Sequence, residues 1–252
     1  MLNIVIPMAG AGSRFSKAGY ADPKPLIPVH GIPMIKVVID NLKPSIAHRF
    51  IFICQKEHVK LYDLTEKLNH WAPNCSIIEL DGLTEGAACT VLHAKHLINS
   101  NSPLMIANSD QYIDLDIDQY LNKLNAENLD GLIMTMTAED AKWSFVGLNK
   151  DNLVTNVVEK QVISNEATVG IYNYAHGKDF VRAAEAMIDK DERVNNEFYV
   201  APAYNQLIAE GQKVGIYNIG AEAAGMYGLG IPADLNLFLS LPVSQKAVRV
   251  KP

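Results

Sequence analysis

The chain reads as an α/β protein of three layers, with helices on both faces of a mixed, mostly parallel central sheet. Three features point there. Short apolar runs at 2–6, 50–54, 76–80 and 104–107 alternate with segments of helical spacing, the signature of parallel strands joined by crossover helices. Beyond residue 131 such runs crowd together with little helix between them, as in antiparallel pairing. The length, 252 residues with 48% hydrophobic and 20% charged, suits one domain of this class and argues against long disorder, collagen or coiled coil.

The opening run, 2–6, is uniformly apolar and is stopped by Pro7, as expected of a strand buried on both faces. A loop rich in Gly and Pro extends from Met8 to about residue 32. Met34, Val37, Val38 and Leu42 then keep helical spacing, and 50–54 is the second strand. Val59, Leu61, Leu64 and Leu68 mark one helix, 76–80 a strand, and Ala88, Val91, Leu92 and Leu97 a helix over 86–97. The strand at 104–107 ends in Asn108-Ser109-Asp110. Strands are expected at 132–137, 145–148, 154–159, 169–174 and 214–217, and helices at 180–188, 204–210 and 233–239, with Gly211 as a C-cap. Met134 and Met136 alternate within their strand and read as core. The tail, 242–252, is polar and expected to be loose. No repeat, low-complexity segment or linker appears, so a single domain of two half-lobes is expected.

The net charge is −6, which weighs against a nucleic-acid partner. Residues 1–36 nevertheless carry Arg14, Lys17, Lys24 and Lys36 against Asp22 alone, a net +3 that leaves −9 for the rest. A basic N-terminal patch on an acidic protein suits an anionic ligand such as phosphate. The three cysteines, Cys54, Cys75 and Cys89, are odd in number and lack a CxxC spacing, which predicts free buried thiols and a cytoplasmic setting. Pro7 and Gly10 interrupt the apolar start, so no signal peptide is expected, and no apolar run reaches the ~18 residues of a membrane span.

The chemistry concentrates after the first strand. In Ala9-Gly10-Ala11-Gly12-Ser13-Arg14-Phe15, paired glycines let backbone N–H groups approach an anion. The dinucleotide fingerprint fails because Phe15 stands where its third glycine belongs, and the Gly-Lys-Ser/Thr of a P-loop is absent. What remains is a glycine loop carrying the planar donor fork of Arg14. Two prolines then flank Lys24 in Pro23-Lys24-Pro25, a stiff mount for a phosphate-binding ammonium. Asp110 lies past the carboxyl end of a strand, where α/β proteins place ligands, and a carboxylate with phosphate oxygens is the usual cradle for Mg²⁺. Thr84 or Glu85 can cap a helix beginning at Gly86; alternatively the Glu85 carboxylate accepts from an exocyclic amine of a base, which favours cytosine over uracil or thymine.

Gly10 to Phe15 followed by Pro23-Lys24-Pro25-Leu26, then Val157-Val158-Glu159-Lys160, Val169-Gly170-Ile171-Tyr172 and Gly228-Leu229-Gly230-Ile231-Pro232-Ala233-Asp234-Leu235, in that order along most of the chain, resemble the sugar-phosphate nucleotidyltransferases, a family of Rossmann-like (GT-A-like) fold. The resemblance implies transfer of a nucleotidyl group from a nucleoside triphosphate to a phosphorylated small molecule. It implies Arg14 and Lys24 as catalytic groups. It also implies a nucleotide site of Met8, Ala9, Gly10, Ala11, Gly12, Ser13, Arg14, Thr84, Glu85, Gly86, Asn108 and Ser109. Asp110 is the implied Mg²⁺ ligand, and Gln111, Glu159, Lys160 and Gly170 are the implied acceptor site. Residues 1–130 are then the nucleotide-binding half and 131–240 the acceptor-binding half. A homo-oligomer is plausible for such a family. Met8–Phe15, Thr84–Ala88 and Ala107–Gln111 are most similar to a capsule- and lipopolysaccharide-linked subgroup that includes a phosphoglutamine cytidylyltransferase.

The sequence departs from the family pattern in two places. Many members carry a second metal-binding aspartate where Gly228 stands here, and Ile231 replaces a threonine. Asp234 falls too late in sequence to substitute without an altered path; Glu222 and Glu197 are further candidates. Three rival readings remain: a nucleotide-sugar glycosyltransferase using Asp114 and Asp116 of an Asp-x-Asp pattern, an inactive nucleotide-binding relative, and a dinucleotide-dependent oxidoreductase, which Phe15 disfavours. Helix N-terminal charge and capping explain the aspartates better than catalysis does, and His93 and His96, three apart, lack a third metal ligand.

Overall fold

In the computed structural model, which describes residues 1–10 and 12–249, the first strand, β1 (Leu2–Met8), has parallel neighbours on both edges. Its side chains meet packed layers on both faces, which is why the run is apolar throughout. After it come the five-residue helix α1 (Ser13–Lys17), the two-residue strands β2 (Pro28–Val29) and β3 (Ile32–Pro33), α2 (Met34–Leu42), β4 (His48–Gln55), α3 (Lys56–Leu61), α4 (Leu64–Trp71) and β5 (Ser76–Leu80). The chain continues through α5 (Ala87–Leu92), α6 (Lys95–Ile98), β6 (Leu104–Ala107), β7 (Gln111–Ile113), α7 (Ile117–Ala126), β8 (Gly131–Thr137), β9 (Ser144–Leu148), β10 (Val154–Glu159) and β11 (Glu166–Tyr174). It closes with α8 (Gly177–Asp189), α9 (Tyr204–Ala209), β12 (Val214–Glu222), β13 (Gly225–Gly228), α10 (Pro232–Ser240) and α11 (Pro242–Ala247).

The main sheet runs β5-β4-β1-β6-β11-β8-β12-β13-β7, with β9 and β10 branching from β11. Five of the eight pairings along that path are parallel, as the sequence predicts; β11 runs antiparallel to both β6 and β8. Alternate residues of β1 serve different cores. Leu2, Ile4, Ile6 and Met8 pack with residues of α2, α4 and α7, while Val5 packs with residues of α5, α8 and α9. Those two cores make the three layers.

A third, smaller core fastens the two ends of the chain together. Phe15, Ile27, Val29, Met34 and Val37 from the N-terminal loop and α2 pack with Tyr112, Leu229, Leu235 and Phe238. Phe15 is 1% exposed and meets Tyr20 edge-on at 5.1 Å. The residue that breaks the dinucleotide pattern is therefore an anchor that sets the glycine loop against α10.

Several local expectations give way to tertiary context. The loop over 8–32 contains α1 and the β2–β3 hairpin, whose tip, His30-Gly31, takes positive φ at both residues. The expected helix over 59–68 divides at Asp63, which adopts φ 50°. The helix over 86–97 divides into α5 and α6. The segment after Pro242, expected to be a loose tail, forms α11 as far as Ala247. Pro242 suits a helix start, and Ser244 is fully buried, its hydroxyl 2.8 Å from Nε2 of His30. Among the cysteines, Cys54 is buried and burial pushes its thiol up to about 12, whereas Cys75 and Cys89 are half-buried. All three are free. No described helix is long and apolar enough to cross a membrane.

The short strands β7 and β13, absent from the sequence reading, matter most for the site. They pair antiparallel, with Gly228 opposite Gln111 and Met226 opposite Ile113. Asn41 of α2 holds β7 from its other edge: its amide accepts from Ile113 N–H and donates to Ile113 C=O, both at 2.8 Å and both buried. Asn41→Leu orphans two buried backbone groups, and each such loss costs about 1–3 kcal/mol. Urea unfolding of that variant is expected to show a loss of about 2–5 kcal/mol; an unchanged midpoint would contradict this role.

Candidate active site

The parallel strands β1 and β6 lie side by side, so the segments leaving their carboxyl ends are neighbours. From β1 come Ala9, Gly10 and Gly12; from β6 come Asn108, Ser109 and Asp110. Between them opens a cavity of about 430 Å³ whose walls include Gly10, Lys24, Thr84, Gly86, Ser109 and Asp110. Gly12 caps α1 with φ 60°, the left-handed region that a side chain disfavours. No atom lies within 4 Å of a Cβ built at Gly10, which leaves the backbone open to a ligand. Lys24 Nζ donates to Asp110 Oδ2 at 2.8 Å, and both side chains are 23% exposed. The pair holds a cation and an anion ready at the cleft.

Not every expected nucleotide-site residue faces this cavity. Met8 points into the core beside Ile6 and Phe52. Ser13 and Arg14 are exposed on α1, Arg14 lining a second, larger cavity. Ala11 lies outside the described residues. Ala9 lines the cleft, and the Gln55 amide donates to its carbonyl and, at 3.1 Å, to that of Gly82, tying the glycine loop to the turn after β5. Gln55 carried no signal in the sequence.

The turn before α5 is built differently from the capping expectation. Neither Thr84 nor Glu85 caps the helix; Gly86 occupies the N-cap at φ 128° without a side-chain bond. The Thr84 hydroxyl instead donates to Gly86 C=O at 3.0 Å, and the Thr84 and Thr90 hydroxyls share a hydrogen bond at 2.6 Å. The Phe198 backbone does the capping: its carbonyl accepts from Ala88 N–H at 3.0 Å, while its own N–H donates to Glu85 C=O at 2.8 Å. A Cβ at Gly86 would lie 2.5 Å from that backbone, so only glycine fits. Glu85 turns outward, 3.8 Å from Arg193, whose guanidinium lies 4.4 Å from the Phe198 ring centroid. Glu197, not Glu85, borders the cleft with Thr84.

Asp110 also lines the larger cavity, of about 700 Å³, with Arg14, Gln111, Lys142, Trp143 and Asp234. The closing turn is hung on it: Leu229 N–H donates to Asp110 C=O at 2.8 Å, and a Cβ at Gly230 would stand 2.5 Å from Asp110 Oδ2. Glycine at 230 thus preserves room for the carboxylate. A hard oxygen donor in such a cradle fits Mg²⁺, with phosphate oxygens completing its shell. Among the described residues no group of three or more His, Cys, Asp or Glu converges, so His93 and His96 find no third ligand.

A third chamber, about 260 Å³, adjoins the first along Ala87 and Asn108 and is lined by Glu159, Gly170, Tyr172, Tyr199, Lys142 and Trp143. Gly170 bulges from β11 at φ 81°, where any side chain would overlap the Asn108 amide, and its carbonyl accepts from Asn108 N–H at 3.0 Å. Glu159 is buried and accepts from the Ser144 hydroxyl. Burial pushes its carboxyl above the ordinary value, against the Ser144 bond and the Lys160 charge, and Glu197 adds to the rise. Lys160, at φ 55°, donates to Tyr199 Oη at 2.8 Å and lies over that ring rather than lining the chamber. Lys142 reaches Glu222 at 2.8 Å and lies 4.9 Å from the Trp143 ring centroid. Lys142, Trp143 and Tyr199 carried no sequence signal: they sit on loops, without periodicity or motif.

The Asp-x-Asp stretch is used structurally. Asp116 caps α7, accepting from Asp118 N–H at 3.1 Å; Asp118 accepts from Ser45 N–H at 3.1 Å; and Asp114 pairs with Lys246. None of the three lines the cavities described here.

A glycine loop, a lysine and a strand-end carboxylate thus border one cleft of an α/β protein, and a chamber holding Glu159 and Lys142 adjoins it. The chain belongs to the nucleotidyl transferase family, whose model matches residues 4–217. It is 24% identical over 261 residues to the bifunctional protein GlmU of Methanococcus maripaludis, covering 99% of this chain and 57% of that one, so it spans little more than half the relative's length. Among solved structures, the nucleoside-diphosphate-sugar pyrophosphorylase from Vibrio cholerae RC9 matches with a TM-score of 0.78 and 26% identity, covering 94% of this chain and 100% of that one. The inositol-1-phosphate CTP transferase from T. maritima shares the fold, with a TM-score of 0.73 and 16% identity over 97% of this chain and 94% of that one.

A carboxyl whose folded pKa lies above its unfolded value favours the fold when protonated; that contribution is present at low pH and is lost as pH rises through the folded value. Ionised Glu159 therefore opposes folding at neutral pH. Glu159→Gln is expected to raise the thermal midpoint near pH ~7, the gain closing as pH falls toward about 4. A variant less stable than the parent at neutral pH would contradict the assignment.

Proposed function

We propose that this chain transfers a nucleotidyl group from a nucleoside triphosphate, CTP favoured, to the phosphate of a sugar 1-phosphate or similar small metabolite, releasing pyrophosphate. The observation that carries the reading is the juxtaposition of two chambers at the ends of β1 and β6: one bordered by Gly10, Lys24 and Asp110, the other by Glu159 and Gly170, with Asn108 between. Residues 1–130 then hold the nucleotide and 131–240 the acceptor.

In the proposed reaction an acceptor phosphate oxygen attacks the α-phosphorus in line. A new P–O bond forms, the bond from that phosphorus to the bridging oxygen of the β-phosphate breaks, and the electron pair leaves with pyrophosphate. The acceptor oxygen is already anionic near neutral pH, so no side chain has to remove a proton. The work of the protein is positioning and charge neutralisation. Backbone groups at Gly10 and Gly12 approach the phosphates. Lys24, released from Asp110, and Arg14 from the other side offset charge on the α-phosphate and the leaving group. Asp110 would hold Mg²⁺, which when bound neutralises phosphate charge. Glu159, braced by Ser144, accepts from acceptor hydroxyls, and Lys160 stands beside it for the acceptor phosphate.

The preference for CTP rests on Glu197, which borders the cleft with Thr84 and Gly86 and carries a carboxylate that accepts from an exocyclic amine, a group uracil and thymine lack. The likeness of three segments to the capsule- and lipopolysaccharide-linked subgroup supports an acceptor destined for those polymers.

The test is a thermal-shift titration with Mg²⁺ and CTP, UTP, dTTP, GTP or ATP, beside CDP-, UDP- and GDP-sugars. A triphosphate at about 100 times its Kd stabilises by about 2.7 kcal/mol. CTP is expected to give the largest shift; stabilisation by nucleotide sugars with none by any triphosphate would overturn the reading. Lys24→Ala and Asp110→Asn are each expected to lower turnover by about 10²–10³ with the fold intact, and near-parental turnover in either removes its role.

A further inference from the structure

Two carboxylate residues border one cavity at the closing turn, and the second does not stand at residue 228, where the family pattern has its metal-binding aspartate. Gly228 and Gly230 carry no side chains, and each leaves room for an acidic group from elsewhere. Asp110 Oδ2 lies 2.5 Å from the Cβ position of Gly230; Asp234 Oδ2 lies 3.2 Å from that of Gly228. The first turn of α10 folds back far enough for Asp234 to fill the space at residue 228. This is the altered path that sequence distance alone left unforeseen. Both carboxylates line the 700 Å³ cavity, as does Arg14.

Asp234 has no hydrogen bond or ion pair among the described residues, although Lys142 stands nearby, paired to Glu222. Among the described residues the Asp110 carboxylate accepts from Lys24 alone. A second observation comes from the same wall. Gln111 borders the cavity at 5% exposure, and its buried Nε2 has no acceptor among the described residues. Buried donors without partners are rare, and this one sits on a residue beside both carboxylates.

Resting on the function proposed above, we infer that Asp234 supplies the second protein carboxylate to the divalent-cation site, opposite Asp110 and in place of a side chain at residue 228. Two carboxylates with phosphate oxygens and water satisfy a hard divalent cation without a third protein ligand. The bare Gly228 is thus not the mark of an inactive protein: the acidic group has moved to α10.

The test reads metal binding rather than turnover. Mn²⁺ is titrated by electron paramagnetic resonance into the whole chain with CTP, UTP, dTTP, GTP or ATP present in turn. The parent, Asp110→Asn, Asp234→Asn and the double variant Gly228→Asp/Asp234→Asn are compared, and circular dichroism checks that each is folded. Asp234→Asn is expected to weaken Mn²⁺ binding at least about tenfold. The double variant is expected to recover it, because residue 228 has no left-handed backbone constraint and its Cβ position faces the site. Mn²⁺ affinity unchanged in Asp234→Asn but lost in Asp110→Asn overturns the inference and leaves the proposed function standing. A parent that takes up no Mn²⁺ with any of the five triphosphates overturns both.

Discussion

Asp110 is held from three directions, and the geometry of the cleft depends on that. Strand β6 delivers it beside the glycine loop, Lys24 pairs with its carboxylate, and Leu229 N–H hangs the closing turn on its carbonyl. Each contact joins segments distant in the chain. The Lys24–Asp110 pair is partly solvated and adds little to stability by itself. What it fixes is the spacing between the glycine loop and the far wall, and the third core, with Phe15 against α10, keeps that wall in place.

The same constraint explains where glycine is required. Gly86 lets the Phe198 backbone cap α5, Gly170 makes room for Asn108, and Gly230 makes room for the Asp110 carboxylate. At Gly170 and Gly230 the backbone packs against a group that borders the cleft, and at Gly86 it packs against the segment that caps α5. The residues bordering the two chambers are therefore set by close backbone approach as much as by side-chain bonds, which gives the preorganisation that a reaction without a general base needs.

How much of this could be read in the sequence follows from what stabilises each part. Strands such as β1, β4 and β6 are buried on both faces over most of their length, so they appear as continuous apolar runs. The glycine loop, Lys24 and Asp110 were legible because their chemistry clusters next to a strand end. Strands β7 and β13 were not: three or four residues carry no period, and they exist because they pair with each other and, for β7, with Asn41. Helix α11 looks like a polar tail until it docks over His30. Glu85 carried the right chemistry for a base reader but turns outward toward Arg193, while Glu197 borders the cleft. The nearness of Asp234 to residue 228 could not be read by counting residues along the chain, because it depends on the fold-back of α10.

The central claim is that nucleotidyl transfer occurs at Asp110. It is tested most directly by incubating the protein with Mg²⁺, CTP and a panel of sugar 1-phosphates and following the phosphorus NMR spectrum. The account predicts pyrophosphate and a diphosphate-linked nucleotide product in equal amounts, both lost in Asp110→Asn. CTP and acceptors left unchanged while added nucleotide sugars are consumed would contradict it.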